Sequence, residues 1–321
     1  MTERLPHLID AGSLTDGQLT DLLALSLRRR ADLDAGRAIP RRLEGRLQFN
    51  LFYEDSTRTN LSFEAAGKHL GAMVSVVPVK ASSLNKGESQ RDTVQTLCAI
   101  GADLIVIRTG EHGACGAARD AARDAGSDCA IVNGGEGAFG HPTQALLDAA
   151  TLMHATGREA GDGLSGLTVA ICGDLSHSRV AASVAPLFLR LGAAVRLVAP
   201  EELLPLNPAE GAVVTTERDE GLAGADVVMA LRVQAERMRD DRFSGSPDYY
   251  RDYAVTYDAL TGAAPGAYVM HPGPMNRGVE IEAALADDPD RSLILSQVRQ
   301  GVATRVAVLE TLKGQAEGPG A

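Results

Sequence analysis

Tryptophan is absent from this 321-residue chain, and aromatic residues make up only 4% of it. Its cores must therefore be packed with Leu, Val, Ala and Ile, within a hydrophobic content of 45% that suffices for two of them. Positive charge is scarce as well: 31 basic against 42 acidic residues leave a net charge of −11. No basic face is available to meet a nucleic-acid backbone, so that class of partner is excluded. The four cysteines, Cys98, Cys115, Cys129 and Cys172, lack metal-ligand spacing and fall in apolar patterns. They read as small buried hydrophobes of a reducing compartment, and no metal is expected. No signal peptide and no apolar run able to span a bilayer is found, so the expected location is the cytoplasm, away from membranes. No G-x-x-x-x-G-K-[ST] occurs, and the loop Gly173–Arg179 lacks the G-x-G-x-x-G pattern, which leaves ATP or dinucleotide use without support.

What is present is an alternation of short β-type and longer helical runs. A first amphipathic helix is expected over 13–36, with Leu19, Leu22, Leu23, Leu25 and Leu27 on its apolar face. Its Arg28-Arg29-Arg30 triplet reads as a solvated face whose charge suits the later part of the helix. Strands are expected at Leu47–Tyr53, Met73–Val79, Asp103–Arg108 and Cys129–Val132, with helices at 57–71, 89–101 and 112–126. Pro142 opens a further helix to about His154. After the glycine-rich linker Gly157–Gly166 come strands near 167–172, 194–199, 212–216, 225–231 and 267–271, with helices notably at 178–192 and 247–262. A last helix, Ser296–Lys313, precedes a tail, Gly314–Ala321, expected to fray. The pattern predicts two doubly wound parallel-sheet α/β domains, 1–156 and 157–321, with the last helix packing back on the first domain. Every polar cluster follows a predicted strand end, which points to one composite active site in the cleft between the domains.

The clearest of these clusters is Ser56-Thr57-Arg58-Thr59-Asn60, where a β-type run meets a helical one. Ser56 or Thr57 can cap the helix, and a helix N-terminus with one guanidinium and several hydroxyls is an anion cradle. Arg108 ends an apolar strand, either aimed at the cleft or satisfied as an edge arginine. The loop Ser82–Ser89 carries Lys86, which alone would read as solvated. His141 caps a helix, and Gln144 lies one turn on, within reach of the same ligand. Arg232 and Gln234 follow a strand end. The stiff turn His271-Pro272-Gly273-Pro274 is either a plain rigid loop or a source of free carbonyls for a ligand NH₂ group.

Together these segments resemble the catalytic chains of the aspartate carbamoyltransferase family. The matching residues are Phe52–Thr59, Ser83 with Lys86-Gly87-Glu88, Arg108, His141–Asp148, Gly173-Asp174 with Arg179, Arg232-Val233-Gln234 and His271–Pro274, in family order. Asn60 stands where many relatives carry arginine, and the loop before Gly87 is one residue short. The resemblance implies transfer of a carbamoyl group from carbamoyl phosphate to the α-amine of L-aspartate, in pyrimidine synthesis and without a cofactor. It implies that Ser56, Thr57, Arg58 and Thr59 hold the phosphate, and that Thr59, Arg108 and His141 surround the carbonyl oxygen. Gln144 and the carbonyls around Gly273 and Pro274 would orient the carbamoyl NH₂. Arg179, Arg232 and Gln234 would clamp the aspartate carboxylates. Ser83 and Lys86, the latter an aspartate ligand too, would enter from the adjacent subunit of a homotrimer. Regulatory or dihydroorotase partner chains are left open.

Two rival readings remain. An ornithine-type carbamoyltransferase would carry a His-Cys-Leu-Pro turn in place of His271–Pro274, and Arg232 is wrong for a cationic substrate. A non-catalytic anion-binding assembly subunit would need none of Arg58, Arg108, His141 and Gln144.

Overall fold

The computed structural model describes residues 5–78, 87–234 and 247–314. It divides into two compact units, Met1–Ala150 together with Arg299–Ala321, and Thr151–Val298. The first unit contains α1 (Asp16–Asp34), β1 (Leu47–Phe52), α2 (Thr57–His69), β2 (Met73–Val77), α3 (Gln90–Ile100), β3 (Leu104–Thr109), α4 (Ala114–Asp124), β4 (Ala130–Glu136) and most of α5 (Pro142–Ala155). Its four strands are all parallel, in the order β2-β1-β3-β4. The run Leu104–Ile107 is wholly buried, as a strand covered on both faces must be. Each large apolar side chain so removed from water contributes about 1.5–3 kcal/mol before conformational entropy is counted.

The second unit contains β5 (Thr168–Gly173), α6 (Arg179–Arg190), β6 (Ala194–Val198), β7 (Val213–Thr215), α7 (Arg218–Leu222), β8 (Val227–Leu231), α8 (Pro247–Tyr253), β9 (Tyr268–Met270) and α9 (Ala283–Ala286). It also holds the start of α10 (Ile294–Lys313), whose residues from Arg299 onward belong to the first unit. This sheet is parallel too, in the order β7-β6-β5-β8-β9. The expected pair of parallel-sheet α/β units is therefore what the chain forms. No helix among the described residues is long and apolar enough to cross a membrane.

The strand orders locate the functional ends. In the first sheet the chain runs outward to β2, then returns past β1 to β3, so the order reverses between β1 and β3. In the second it reverses between β5 and β8. Beyond the carboxyl ends of two such strands the following loops diverge and leave a crevice, the usual ligand site of this architecture.

Several expectations are corrected by tertiary contacts. Only Arg28 of the arginine triplet is exposed. Arg29 is buried in a two-pronged pair with Glu310, at 2.9 and 2.8 Å, and Arg30 is buried against Asp34 at 2.7 Å. The last turn of α1 holds no cation but does contain Asp32 and Asp34, so the helix-dipole reading fails. The helix expected over 247–262 stops at Tyr253, because Val255 leaves it to bridge Ile281. A short 3-10 turn then follows over Ala259–Gly262. The strand expected to end at Val132 continues to Glu136, since Asn133 and Glu136 pair with Ile107 and Thr109 of β3. Cys115, Cys129 and Cys172 are buried, whereas Cys98 is half-buried. The expected fraying falls outside the described residues beyond Gly314.

Candidate active site

The first unit gathers its predicted site residues at the β1/β3 reversal. β1 carries two buried amides, which are not ordinary strand residues. Gln48 Nε2 donates to Asn50 Oδ1 and to the Phe63 carbonyl at 2.9 and 3.1 Å, and Asn50 Nδ2 donates to Asn60 Oδ1 at 3.0 Å. These bonds fix the first half of α2, at Asn60 and Phe63, against β1. Gly67 permits the close approach, for a Cβ there would lie 2.1 Å from Gln48 Oε1. Ser56 then caps α2, its Oγ accepting from the Thr59 N–H at 3.4 Å. Thr59 is buried, while Thr57 and Arg58 are exposed in the first turn, where N–H groups and the helix dipole favour an anion. Arg58 forms no ion pair with any described residue, and desolvation pulls its pKa below the ordinary value.

Arg108 stands at the end of β3, paired with Phe52 of β1. Its Nη1 donates to the Gly134 carbonyl at 3.1 Å, and its Nε lies 3.8 Å from Glu54 Oε2. Arg108 is thus anchored at the strand end by the Gly134 carbonyl and Glu54. His141 is buried at the start of α5, its carbonyl accepting from the N–H groups of Gln144 and Ala145. Gln144 Nε2 donates to the buried Asp148 Oδ1 at 3.0 Å. This bond uses the donor end of the amide and leaves its Oε1 as the acceptor.

Sequence reading passed over Gly135-Glu136-Gly137-Ala138-Phe139-Gly140, which does spell G-x-G-x-x-G. It is no phosphate cradle. The N–H groups of Glu136 and Gly140 bond each other's carbonyls, those of Gly137 and Phe139 donate to Thr109 and Glu136 carbonyls, and that of Gly135 donates to Asn133 Oδ1. With its donors turned inward, the loop has little to offer an anion.

The second unit gathers its predicted site residues at the β5/β8 reversal. β5 ends on Gly173 at φ +126°, where a Cβ would meet the Leu231 carbonyl oxygen of β8 at 2.4 Å. Asp174 follows, fully buried. It accepts from the His177 N–H at 3.1 Å, lies 2.9 Å from His177 Nδ1, and accepts from the Gln234 N–H at 3.3 Å. Ser178 caps α6 through the Ala181 N–H at 3.2 Å, which places the buried Arg179 at the first helical position. Arg232 follows β8, half-buried. Gln234 Nε2 donates to the His177 carbonyl at 3.0 Å, tying the two loops together.

Two further residues went unassigned at the sequence level. Arg305, on α10 and wholly buried, lies 5.0 Å from the Phe63 ring centroid, and burial lowers its pKa to about 9. Asp174 carried a legible signal, an acid directly after a strand and near two arginines, whereas Arg305 carried none. Ser83 and Lys86 lie outside the described residues. No cluster of three or more His, Cys, Asp or Glu among the described residues could hold a metal ion.

Two parallel α/β sheets with guanidinium groups at their reversal points define a doubly wound protein built to take anions. The model of the aspartate/ornithine carbamoyltransferase carbamoyl-phosphate-binding domain matches residues 6–154, and that of the family's aspartate/ornithine-binding domain matches 165–312. The chain belongs to the aspartate/ornithine carbamoyltransferase family. It is 48% identical to the aspartate carbamoyltransferase catalytic subunit of Caulobacter vibrioides, over 98% of this chain and 92% of that one. The corresponding subunit of Granulibacter bethesdensis is 47% identical, over 97% and 95%. The fold is similar to aspartate transcarbamoylase from Trypanosoma cruzi in complex with carbamoyl phosphate, with a TM-score of 0.84 and 32% identity over 95% of both chains. The complex of that enzyme with carbamoyl phosphate and aspartate gives a TM-score of 0.83 at 31% identity, over 95% of this chain and 96% of that one.

Proposed function

We propose that this chain transfers the carbamoyl group of carbamoyl phosphate to the α-amine of L-aspartate, giving N-carbamoyl-L-aspartate and phosphate for pyrimidine synthesis. The observation that carries the reading is the recurrence of one cation arrangement in both units. Each sheet reversal has a serine-capped helix with an arginine in its first turn and a second arginine at the neighbouring strand end. Two such cation pairs suit two anionic substrates. In this reading residues 1–156 take carbamoyl phosphate and residues 157–321 take aspartate.

The α2 N-terminus, with Ser56, Thr57, Arg58 and Thr59, holds the phosphate. Thr59, Arg108 and His141 face the carbonyl oxygen, where negative charge grows as the amine nitrogen attacks the carbonyl carbon. Donors already in place at such an oxygen are worth about 3–4 kcal/mol each. Gln144 Oε1 and the carbonyls around Gly273 and Pro274 accept from the carbamoyl NH₂. Arg179, Arg232 and Gln234 receive the aspartate carboxylates. The C–N bond forms, the carbon–oxygen bond to phosphorus breaks, and the departing phosphate takes the amine proton, so no protein base is needed. Phosphate release with aspartate, ornithine or neither tests the reading, and release with ornithine alone would overturn it.

The reading extends to a cytoplasmic homotrimer in which Ser83 and Lys86 serve the neighbouring subunit's site. Support comes from the edge strand β2, whose Met73 and Val76 are 54% and 42% exposed and would be covered by assembly. Mixing inactive Arg58→Ala and Lys86→Ala chains should then restore some activity. Verified mixed trimers that stay inactive would remove the shared site.

A further inference from the structure

The turn that begins at His271 rests on a buried histidine and glutamate. The side chains of His271 and Glu280 are 0% and 1% exposed. The His271 N–H donates to Gln297 Oε1 at 2.9 Å, which fixes where the chain leaves β9. The His271 Nδ1 accepts from the Gly273 N–H at 2.8 Å. A ring nitrogen that accepts carries no proton, so the ring's proton is on Nε2, which lies 3.2 Å from Glu280 Oε1. The same carboxylate oxygen accepts from the Asn276 N–H. One carboxylate thus holds both ends of the turn.

The hold continues outward. Asn276 Nδ2 donates to the Val233 carbonyl at 3.3 Å, between Arg232 and Gln234. Gln234 in turn bonds Asp174 and the His177 carbonyl. Three loops of the second unit, 173–179, 232–234 and 271–276, therefore form one frame whose inner end is the His271–Glu280 pair. An apolar pair would fill the same volume at lower desolvation cost. What only the polar pair supplies is a directional hold on two backbone N–H groups.

We infer that His271 and Glu280 are positioning residues for the second unit's dicarboxylate site, setting the place of Arg232 and Gln234 through Asn276. The inference rests on the proposed function and deepens it. Nitrogen-15 NMR of the full chain should find His271 as the Nε2–H tautomer. His271→Asn keeps an acceptor for the Gly273 N–H but loses the donor to Glu280. It should raise the KM for L-aspartate about tenfold, one hydrogen bond's worth, with the inhibition constant of inorganic phosphate unchanged. Asn276→Ala cuts only the bridge to Val233 and guards against misfolding of the first variant. It should raise the same KM by a similar factor at an unchanged melting temperature. The double variant should be little worse than the poorer single one, since both break one chain of contacts.

An Nδ1–H tautomer, or a folded Asn276→Ala chain that binds aspartate as the wild type does, would overturn the inference alone. A wild-type chain that binds no aspartate in the presence of phosphate would overturn the functional reading and this inference with it.

Discussion

The two units repeat one plan and differ in how their charges are balanced. Ser56 with Arg58 and Arg108 in the first corresponds to Ser178 with Arg179 and Arg232 in the second. In the first, Arg58 meets no carboxylate among the described residues, and the Arg108 Nε lies 3.8 Å from Glu54 Oε2. In the second, Asp174 and Glu280 are buried within the loops themselves and organise their N–H groups. An unbalanced cradle gains most from a doubly charged phosphate, which supplies the missing negative charge. A frame held by its own acids gains less from charge and more from fixed geometry, which suits discrimination among dicarboxylates.

The sharpest way to break this comparison is Arg58→Ala, which should lower kcat/KM for carbamoyl phosphate about 10³-fold and weaken phosphate binding in calorimetry. Arg232→Ala should raise the KM for aspartate about 10²-fold while leaving phosphate affinity near wild type. Equal losses of phosphate affinity in both variants would erase the distinction between the units. Ser56→Ala removes the cap that presents the cradle and should cost about 1 kcal/mol of stability, read from denaturant melts.

The smallest effect concerns the sheet edges. Each sheet ends in a single bridge, Leu8 to Val132 in the first unit and Ser292 to Val269 in the second. The first is tied by His7, whose Nδ1 accepts from the Ile131 N–H at 3.1 Å. Burial, then Arg119 and Lys313, hold the His7 pKa below its usual 6.5. A neutral His7 therefore adds stability above pH 6.5 that is lost as pH falls from there through its lowered folded value. Amide exchange at Ile131, corrected for intrinsic rate, should quicken in that window, while that at Val269 should not.

The sheets were legible because buried parallel strands leave uninterrupted apolar runs, as at Leu104–Ile107, and because polar clusters follow their ends. The cradle at Ser56–Thr59 was legible for the same reason: its cap, hydroxyls and guanidinium are contiguous. What stayed hidden depends on distant partners. Arg29 looks like a surface residue until Glu310, 281 positions away, is brought to it. Tyr253 looks like mid-helix until Ile281 draws Val255 into a bridge. Asn133-Gly134-Gly135 has the composition of a turn, and only the neighbouring strand makes it β. Glu280 carries no local mark of the two N–H groups it receives.

The return of α10 has a consequence for how the chain is made. Ser26 lies 2.6 Å from Thr304 through their hydroxyls, and Arg29 takes its counter-charge from Glu310. The second unit is thus an insertion within the first. A ribosome must synthesise all of residues 151–298 before α1 receives its last neighbour, so the earliest-made half is the last to be completed.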